Sequence, residues 1–468
     1  MNHSFKNDLT LNNMFFVYVQ GAMFLLAIIL LASAYIIDYS SASLPVVFSV
    51  LIYLIAILSF FDREKYFSIS FLFILACGVF LLGRQFAYIL SMGDISVYVV
   101  GFLSQEVLTP QTYAKYCFLI LSCIVSFGFG AALSKIKFGI DSQPSKFNKG
   151  KVKSPWILFF CFSILAITAF TYFELVQYVL TYGYKGIYVY NAEAAQSPSL
   201  MSKLSFYSYP LTLVLFSYTL VYRKIKKEIL LLLFIIILKA LLMASLGQRG
   251  PFMCTLLFIM CMITKNKKVG LFKACVFLFS LIVMAQLINY FRGSGVAIDS
   301  IYNALVRFLY EQGITFYIPY LSNMYDFPTL AKVQTIIPGS KFIYSLFSGN
   351  TPELQEYVLG HFLTYQVDSV AFSSGAGLGW SIISDFQQII GGMDLLIILS
   401  MLAFGFVLSF LESARSSDNM KFIVYAAAIP IIFLPRSSLA NVIPIVILCI
   451  FIIILRCSKR KIFIGKGV

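Results

Sequence analysis

The residues of this chain best placed to do chemistry are arginines where apolar runs end. Arg249 sits in SLGQRGPFMCTLL, in a four-residue turn between the apolar runs Ile229–Leu246 and Pro251–Ile263. Arg292 in FRGSG and Arg436 in FLPRSSLAN stand at the ends of other apolar runs. Arg307 lies in IYNALVRFLYEQ, and Arg84 lies inside a run, in LLGRQF. A guanidinium stays charged at physiological pH and pairs bidentately with phosphate oxygens. Arg249, Arg292 and Arg436 at one depth therefore suit a phosphate or pyrophosphate. Gly247, Gly250 and Gly293 beside them let backbone come close to a ligand. Each arginine also has a plainer reading. An arginine at a helix end can snorkel to headgroups, where it costs less than the roughly 2.5–3.5 kcal/mol of the bilayer centre. Arg307 is spaced i,i+4 from Glu311, so the two can simply pair. Arg84 can line a cavity.

A proton acceptor is the second requirement of group-transfer chemistry. His361, in LGHFLTY, and His3 are the two histidines of the chain. An imidazole titrates near neutrality and suits a general base; its plain reading is a polar residue on an amphipathic helix. Asp368 and Asp385 are the carboxylates to weigh beside it, and Asp385 in GWSIISDFQQIIGG stands next to the membrane. Asp326, Glu353 and Glu356 read as solvated surface. Tyr182, Tyr184, Tyr188, Tyr190, Tyr207 and Tyr209 read either as an interfacial aromatic belt or as a platform for sugar stacking. Two histidines exclude a multi-histidine metal centre, and the nine cysteines contain no CxxC.

The elements that must hold these residues are membrane helices. Of 468 residues, 60% are hydrophobic and only 12% charged, far from the balance of a soluble domain. Twelve runs approach the length needed to span: 14–37, 43–61, 69–91, 112–133, 155–180, 204–222, 229–246, 250–264, 270–290, 389–411, 420–434 and 439–456. The first is long enough to cross and lacks a small-residue cleavage site, so it is not read as a cleavable signal. The net charge of +15 is better explained by topology than by nucleic acid: 24 of the 35 lysines and arginines fall in the tails and loops of one side. The positive-inside rule makes that side cytoplasmic and puts both termini there. The basic loop 134–154 reads as a cytoplasmic linker touching anionic lipid.

The expected organisation is a membrane unit of nine helices over 1–290, an outer loop domain over 291–388, and three helices with a basic cytoplasmic tail over 389–468. In the outer loop Ile298, Ile301, Leu305, Phe308 and Leu309 recur at helical spacing. Pro328, Pro338 and Pro352 cut it into short pieces, and Gly375, Gly377 and Gly379 make a loose turn before Trp380. The loop is expected to be a cap of amphipathic helices on the membrane surface. No internal repeat is apparent, which counts against a transporter of symmetric halves.

Taken together, these features resemble the bacterial O-antigen or oligosaccharide repeat-unit polymerases, the Wzy family. The resemblance rests on the LGQRGPF turn between central helices and on one long outer loop ahead of the last helices. It rests also on the Gly-rich stretch with Ser381 and Asp385 ahead of a glycine pair, and on the arginine in LPRSSLA. It implies an all-α polytopic membrane protein of about 12 transmembrane helices in the bacterial inner membrane, resembling GT-C-type membrane glycosyltransferases, with a periplasmic loop. It implies polymerisation of repeat units carried on undecaprenyl pyrophosphate, in lipopolysaccharide biosynthesis. A sugar hydroxyl of the acceptor displaces undecaprenyl pyrophosphate from the donor chain with inversion, and no cofactor or metal takes part. On this chain, Arg249, Arg292, Arg436, Arg307 and Arg84 would hold pyrophosphate, and His361 or Asp385 would be the base. The implied partners are the lipid-linked donor and acceptor glycans, membrane lipids and a chain-length regulator protein, with no nucleic acid. An O-antigen ligase shares the arginines and the loop. A flippase for the lipid-linked unit would instead show a central cationic cavity and repeated bundles.

Overall fold

The computed structural model describes residues 2–64, 67–101, 104–138, 155–183, 186, 190, 200–245, 249–264, 269–291, 300–374, 376–413 and 416–464. The protein is a helical membrane protein. The first group of helices is α1 (Asn2–Ile36), α2 (Ser43–Glu64), α3 (Ile69–Phe80), α4 (Gly83–Leu90), α5 (Pro110–Phe138), α6 (Pro155–Tyr182) and α7 (Leu200–Tyr218). It continues through α8 (Lys226–Ser245), α9 (Arg249–Thr264) and α10 (Leu271–Phe291). A cap of short helices follows: α11 (Ile301–Gln312), α12 (Ile318–Ser322), α13 (Thr329–Ile336), α14 (Ser340–Ser348), α15 (Leu354–Tyr357), α16 (Leu359–Val367), α17 (Ser369–Ser373) and α18 (Ile382–Ile390). The chain ends in α19 (Asp394–Glu412), α20 (Asp418–Phe433) and α21 (Ile443–Ile464).

The twelve apolar runs fall largely on helix, but they are not equal, and run 389–411 is broken at 391–393. Among the described residues, eight helices are long and apolar enough to cross a bilayer, or nine if α3 and α4 count as one broken span. The α9 helix and the apolar part of α10, Phe272–Met284, are shorter. The run 69–91 was expected to be one span; it bends by 58° between α3 and α4. Beyond the bend a hairpin, β1 (Val99–Gly101) with β2 (Ser104–Val107), pairs Val99 with Val107 and Gly101 with Ser104.

The core forms around α5, whose apolar window is 89% buried, an unusual value for a span that lipid could surround. Lipid tails are as apolar as leucine, so membrane helices associate by close contact of small residues and by hydrogen bonds between helices. Both devices are present. A Cβ on Gly130 would fall 2.0 Å from the Leu402 carbonyl of α19, and one on Gly405 would fall 2.1 Å from the Phe127 carbonyl. Buried Gln20 of α1 donates to the Ala56 carbonyl at 2.8 Å and to Ser59 Oγ at 2.6 Å. At the far end of α19, Glu412 accepts from the amides of Ile69 at 2.6 Å and Ser70 at 3.0 Å, satisfying donors that the start of α3 leaves open.

The cap is built from short helices because its sequence keeps stopping them. Pro328 precedes α13, Pro338 separates α13 from α14, and Gly339 and Gly349 bound α14 at φ of 94° and 69°. Phe342, Ile343, Leu346 and Phe347 leave α14 with a largely exposed apolar face, as an amphipathic helix seated on a membrane surface requires.

The α5–α19 contact yields a direct expectation. Gly405→Val places methyl groups into the Phe127 backbone and forces the helices apart, a cost of about 1–3 kcal/mol or more by analogy with overpacked cores. The thermal midpoint of detergent-purified protein is expected to fall by several degrees. An unchanged midpoint would show that the two helices are not in contact there.

Candidate functional site

The site is organised by the end of one helix. Helix α11 begins at Ser300, whose hydroxyl accepts from the Asn303 amide at 3.1 Å, and ends against α4. That docking needs glycine on both sides. A Cβ on Gly83 would lie 2.5 Å from the Leu309 carbonyl, and one on Gly313 would lie 2.3 Å from the Arg84 amide nitrogen. The last carbonyls of a helix have no partner within it and carry the negative end of its dipole. Here cations take that place.

Four of the arginines singled out by sequence meet on the last turn of α11 and its i−4 neighbour. Arg84 Nε donates to the Tyr310 carbonyl at 3.4 Å, and its Nη1 donates to the Val99 carbonyl of β1 at 2.5 Å. Its guanidinium lies 4.3 Å from the Tyr310 ring centre and 4.6 Å from that of Tyr317. Arg249 Nη2 donates to Glu311 Oε2 at 3.2 Å, and Arg307 Nε donates to Glu311 Oε1 at 2.9 Å. Arg436 Nη1 donates to the Gln312 side-chain oxygen at 2.9 Å and lies 3.5 Å from its carbonyl. Arg292, with Gly247 and Gly293, lies outside the described residues.

These arginines are not equivalent. Arg84 is only 3% exposed and is enclosed between β1 and two tyrosine rings. It braces the joint of the broken span. Arg249 and Arg307 share one carboxylate and keep 12% and 41% of their side chains exposed. Arg249 is also the first residue of α9, so the open N–H groups of that helix start add to its positive field. Gly250 has a packing reason: its Cβ would meet the Phe433 ring at 2.6 Å. It brings the start of α9 against the end of α20, and so Arg249 toward the turn that carries Arg436. Among the described residues, Glu311 is the carboxylate that pairs with these guanidiniums, and it pairs with two of them.

The two base candidates lie in the other half of the cap. Asp385 is fully buried on α18. Its Oδ1 accepts from Trp380 Nε1 at 2.7 Å and Ser438 Oγ at 3.0 Å, and its Oδ2 accepts from the Leu439 amide at 2.6 Å. Ser438 and Leu439 lie two and three residues after Arg436, so the carboxylate clamps the turn that presents this arginine. Burial raises its pKa to about 7, although the three donors pull the other way. Ser381 caps α18 and Gly391 ends it at φ 86°, which accounts for the serine and the glycine pair around Asp385 in the sequence. His361, on α16, is half-buried, with its ring edge-on to Phe372 at 6.0 Å between centres. Burial lowers its pKa, so the imidazole is neutral at pH 7.

Two contributors were not singled out by sequence. Glu311 was read only as a partner for Arg307; its being the one carboxylate between 300 and 325 was the available signal. Gln312 carried no signal, because its meeting with Arg436 spans 124 residues. Among the described residues no three His, Cys, Asp or Glu side chains stand together as a metal site would require.

The family model described as O-antigen polysaccharide polymerase Wzy matches residues 17–462, nearly the whole chain. No curated protein and no solved structure matches.

Asp385 sets a pH expectation. The folded state holds this proton up to about pH 7, whereas the ordinary carboxyl releases it near 3.8. Between those values the folded state binds more protons, so the contribution of Asp385 to stability is complete below pH 4 and is lost as pH rises towards 7. Asp385→Asn removes this slope: the difference between the thermal midpoints of variant and wild type should change steadily from pH 4 to 7. A constant difference over that range would show that Asp385 does not titrate there.

Proposed function

The chain belongs to the O-antigen polysaccharide polymerase Wzy family, and on that premise we propose that it joins undecaprenyl-pyrophosphate-linked repeat units at the periplasmic face, releasing undecaprenyl pyrophosphate. Both termini are then cytoplasmic, in keeping with the distribution of positive charge. The observation that carries this reading is the convergence of Arg249, Arg307 and Arg436 on the end of α11.

In the reaction the acceptor hydroxyl attacks the anomeric carbon of the donor chain. The bond from that carbon to the pyrophosphate oxygen breaks, and its electron pair leaves with the pyrophosphate. Negative charge therefore grows on the leaving group, and fixed cations beside it stabilise the transition state more than the ground state. Arg249, Arg307 and Arg436 are assigned to that leaving group. Glu311 holds two of them at a fixed spacing before substrate arrives. Arg84 and Asp385 act as positioning residues, the first on the α4–α11 joint and the second on the Arg436 turn. Attack inverts the anomeric carbon, and the hydroxyl proton needs an acceptor. His361 suits that role better than Asp385, since its imidazole is neutral and half-open while both oxygens of Asp385 already accept hydrogen bonds.

Lipopolysaccharide length on a gel, from a strain deleted for the gene and complemented with wild type or variants, tests the proposal. The deletion should leave core bearing one repeat unit, and wild type should restore the ladder. Arg249→Ala and Arg436→Ala, expressed at equal levels, should lose the ladder, since one charged hydrogen bond is worth about 1.5–3 kcal/mol, or about 10- to 100-fold in rate. Arg249→Lys should restore it poorly, because an ammonium cannot replace the fork. Full-length chains left on the lipid carrier would point to ligation, and absence of outward-facing units to transport.

A further inference from the structure

One charged residue inside the membrane is used neither by the arginine cluster nor by the packing of α5. Lys239 lies on α8, six residues before its Ser245 end, or about 9 Å along the axis. It is 5% exposed. Its ammonium donates to Ser208 Oγ of α7 at 2.5 Å and lies 5.8 Å from the Tyr209 ring centre. Among the described residues no carboxylate is within ion-pair distance of it. Glu174, the only carboxylate of α6, accepts from the Tyr190 hydroxyl at 3.2 Å. A snorkelling lysine would carry its head to water, but this one is turned inward to a serine. Ionisable groups in spans are costly and in general face a functional site.

The lysine also faces space. A small recess, open on one side and largely apolar in its exposed lining, lies between α6 and α8; Thr168, Thr171, Tyr172, Leu175, Lys239, Leu242 and Met243 line it. Its polar groups are one-sided. Thr168 and Thr171 already give their hydroxyl protons to the carbonyls of Ile164 at 2.7 Å and Ile167 at 2.8 Å. An ammonium has three N–H donors, and Ser208 takes one. Lys239 is the one charged residue of that lining, which otherwise consists of threonine, tyrosine, leucine and methionine side chains. Towards the Ser245 end, the Tyr172 and Ser245 hydroxyls meet at 2.9 Å, four residues before Arg249.

We propose that Lys239, braced by Ser208, binds the phosphate of a membrane lipid in the α6–α8 recess, with the hydrocarbon tail left in the bilayer. An occupant at this depth must carry its own apolar tail, and the only charge that suits an unpaired lysine is negative. Polyprenyl phosphates and anionic phospholipids share that chemistry. The site stands apart from the polymerase reading, since either lipid satisfies it. If the occupant is the polyprenyl carrier, the recess lies along the helix that ends four residues before Arg249.

The test uses the full chain, purified and delipidated in detergent, with undecaprenyl phosphate, dioleoylphosphatidylglycerol and undecaprenol as probes. Binding is read by native mass spectrometry and thermal midpoint by intrinsic fluorescence. At least one phosphate lipid should bind wild type and raise its midpoint, and undecaprenol, which lacks phosphate, should not. Lys239→Met keeps the volume and removes the charge. It should weaken that lipid at least ten-fold while the lipid-free midpoint holds or rises. Lys239→Arg should stay within a few-fold of wild type. Leu242→Trp, which fills the recess and leaves the lysine, should weaken binding as Lys239→Met does. Loss of only one of the two phosphate lipids identifies the source and supports the site. The proposal is overturned if neither phosphate lipid binds wild type, or if Lys239→Met binds within two-fold of it. It is equally overturned if Arg249→Ala abolishes binding that Lys239→Met leaves intact, since the phosphate then sits at the arginine cluster. A fall in the lipid-free midpoint of Lys239→Met with binding retained would make the lysine a structural brace.

Discussion

A helix that ends inside a protein leaves carbonyl groups that something must satisfy, and in this protein arginines do it. The end of α11 receives Arg84 on the Tyr310 carbonyl and Arg436 on Gln312, while Glu311 in the same turn holds Arg249 and Arg307. The geometry is possible only because α11 can approach α4 closely, with glycine at 83 and 313. That contact goes with the 58° bend of the third span. The bend and the hairpin that meets Arg84 adjoin this helix end, and Arg249 and Arg436 reach it by side-chain hydrogen bonds. This joins membrane helices distant in sequence to the first helix of the cap.

Much of the parts list was legible in the sequence. Spans announce themselves by apolar length, and among the described residues eight helices, or nine with the bent pair, are long and apolar enough to cross. The arginines stood out because a guanidinium beside an apolar run is expensive to keep. The ends of α18 were legible too, since a serine cap and a glycine at positive φ are local signals. What could not be read was the meeting point. Arg249 and Glu311 are 62 residues apart, and Arg436 and Gln312 are 124. Apolar periodicity along one helix carries no information about which other helix end it meets. The run 69–91 looked like a single straight span for the same reason: Gly83 is a small residue in an apolar run until Gly313 is placed against it.

Asp385, a candidate proton acceptor by sequence, also has a structural role. A carboxylate next to the membrane, in a stretch rich in glycine and serine, reads as a proton acceptor. The structure surrounds it with Trp380, Ser438 and Leu439, so both oxygens accept hydrogen bonds before any substrate arrives. Burial raises its pKa to about 7, the range in which a general base would work. Perturbation of this kind marks buried structural clamps as readily as catalysts, and only the count of occupied lone pairs separates the two. The clamp still bears on the site, because the turn it fixes is the one that carries Arg436.

The cluster also has an internal logic of charge. One carboxylate shared by two guanidiniums is a small acceptor group between planar forks, which is the arrangement that a phosphate would occupy. Glu311 therefore keeps Arg249 and Arg307 spaced for an anion in the absence of one. One carboxylate does not neutralise two guanidiniums, and like charges a few ångström apart repel by about a few kcal/mol near a protein surface. An anion entering such a site relieves repulsion as well as forming new hydrogen bonds. In the reaction proposed above, a departing pyrophosphate gains negative charge as its bond to the sugar breaks, so that relief would grow along the reaction coordinate. Cations held in place by a helix end need no reorganisation at that moment, and electrostatic catalysis depends on this. The price is a resting site that is less stable than a neutral one, which fits its being braced from three sides by Arg84, by Glu311 and by the Asp385 clamp behind Arg436.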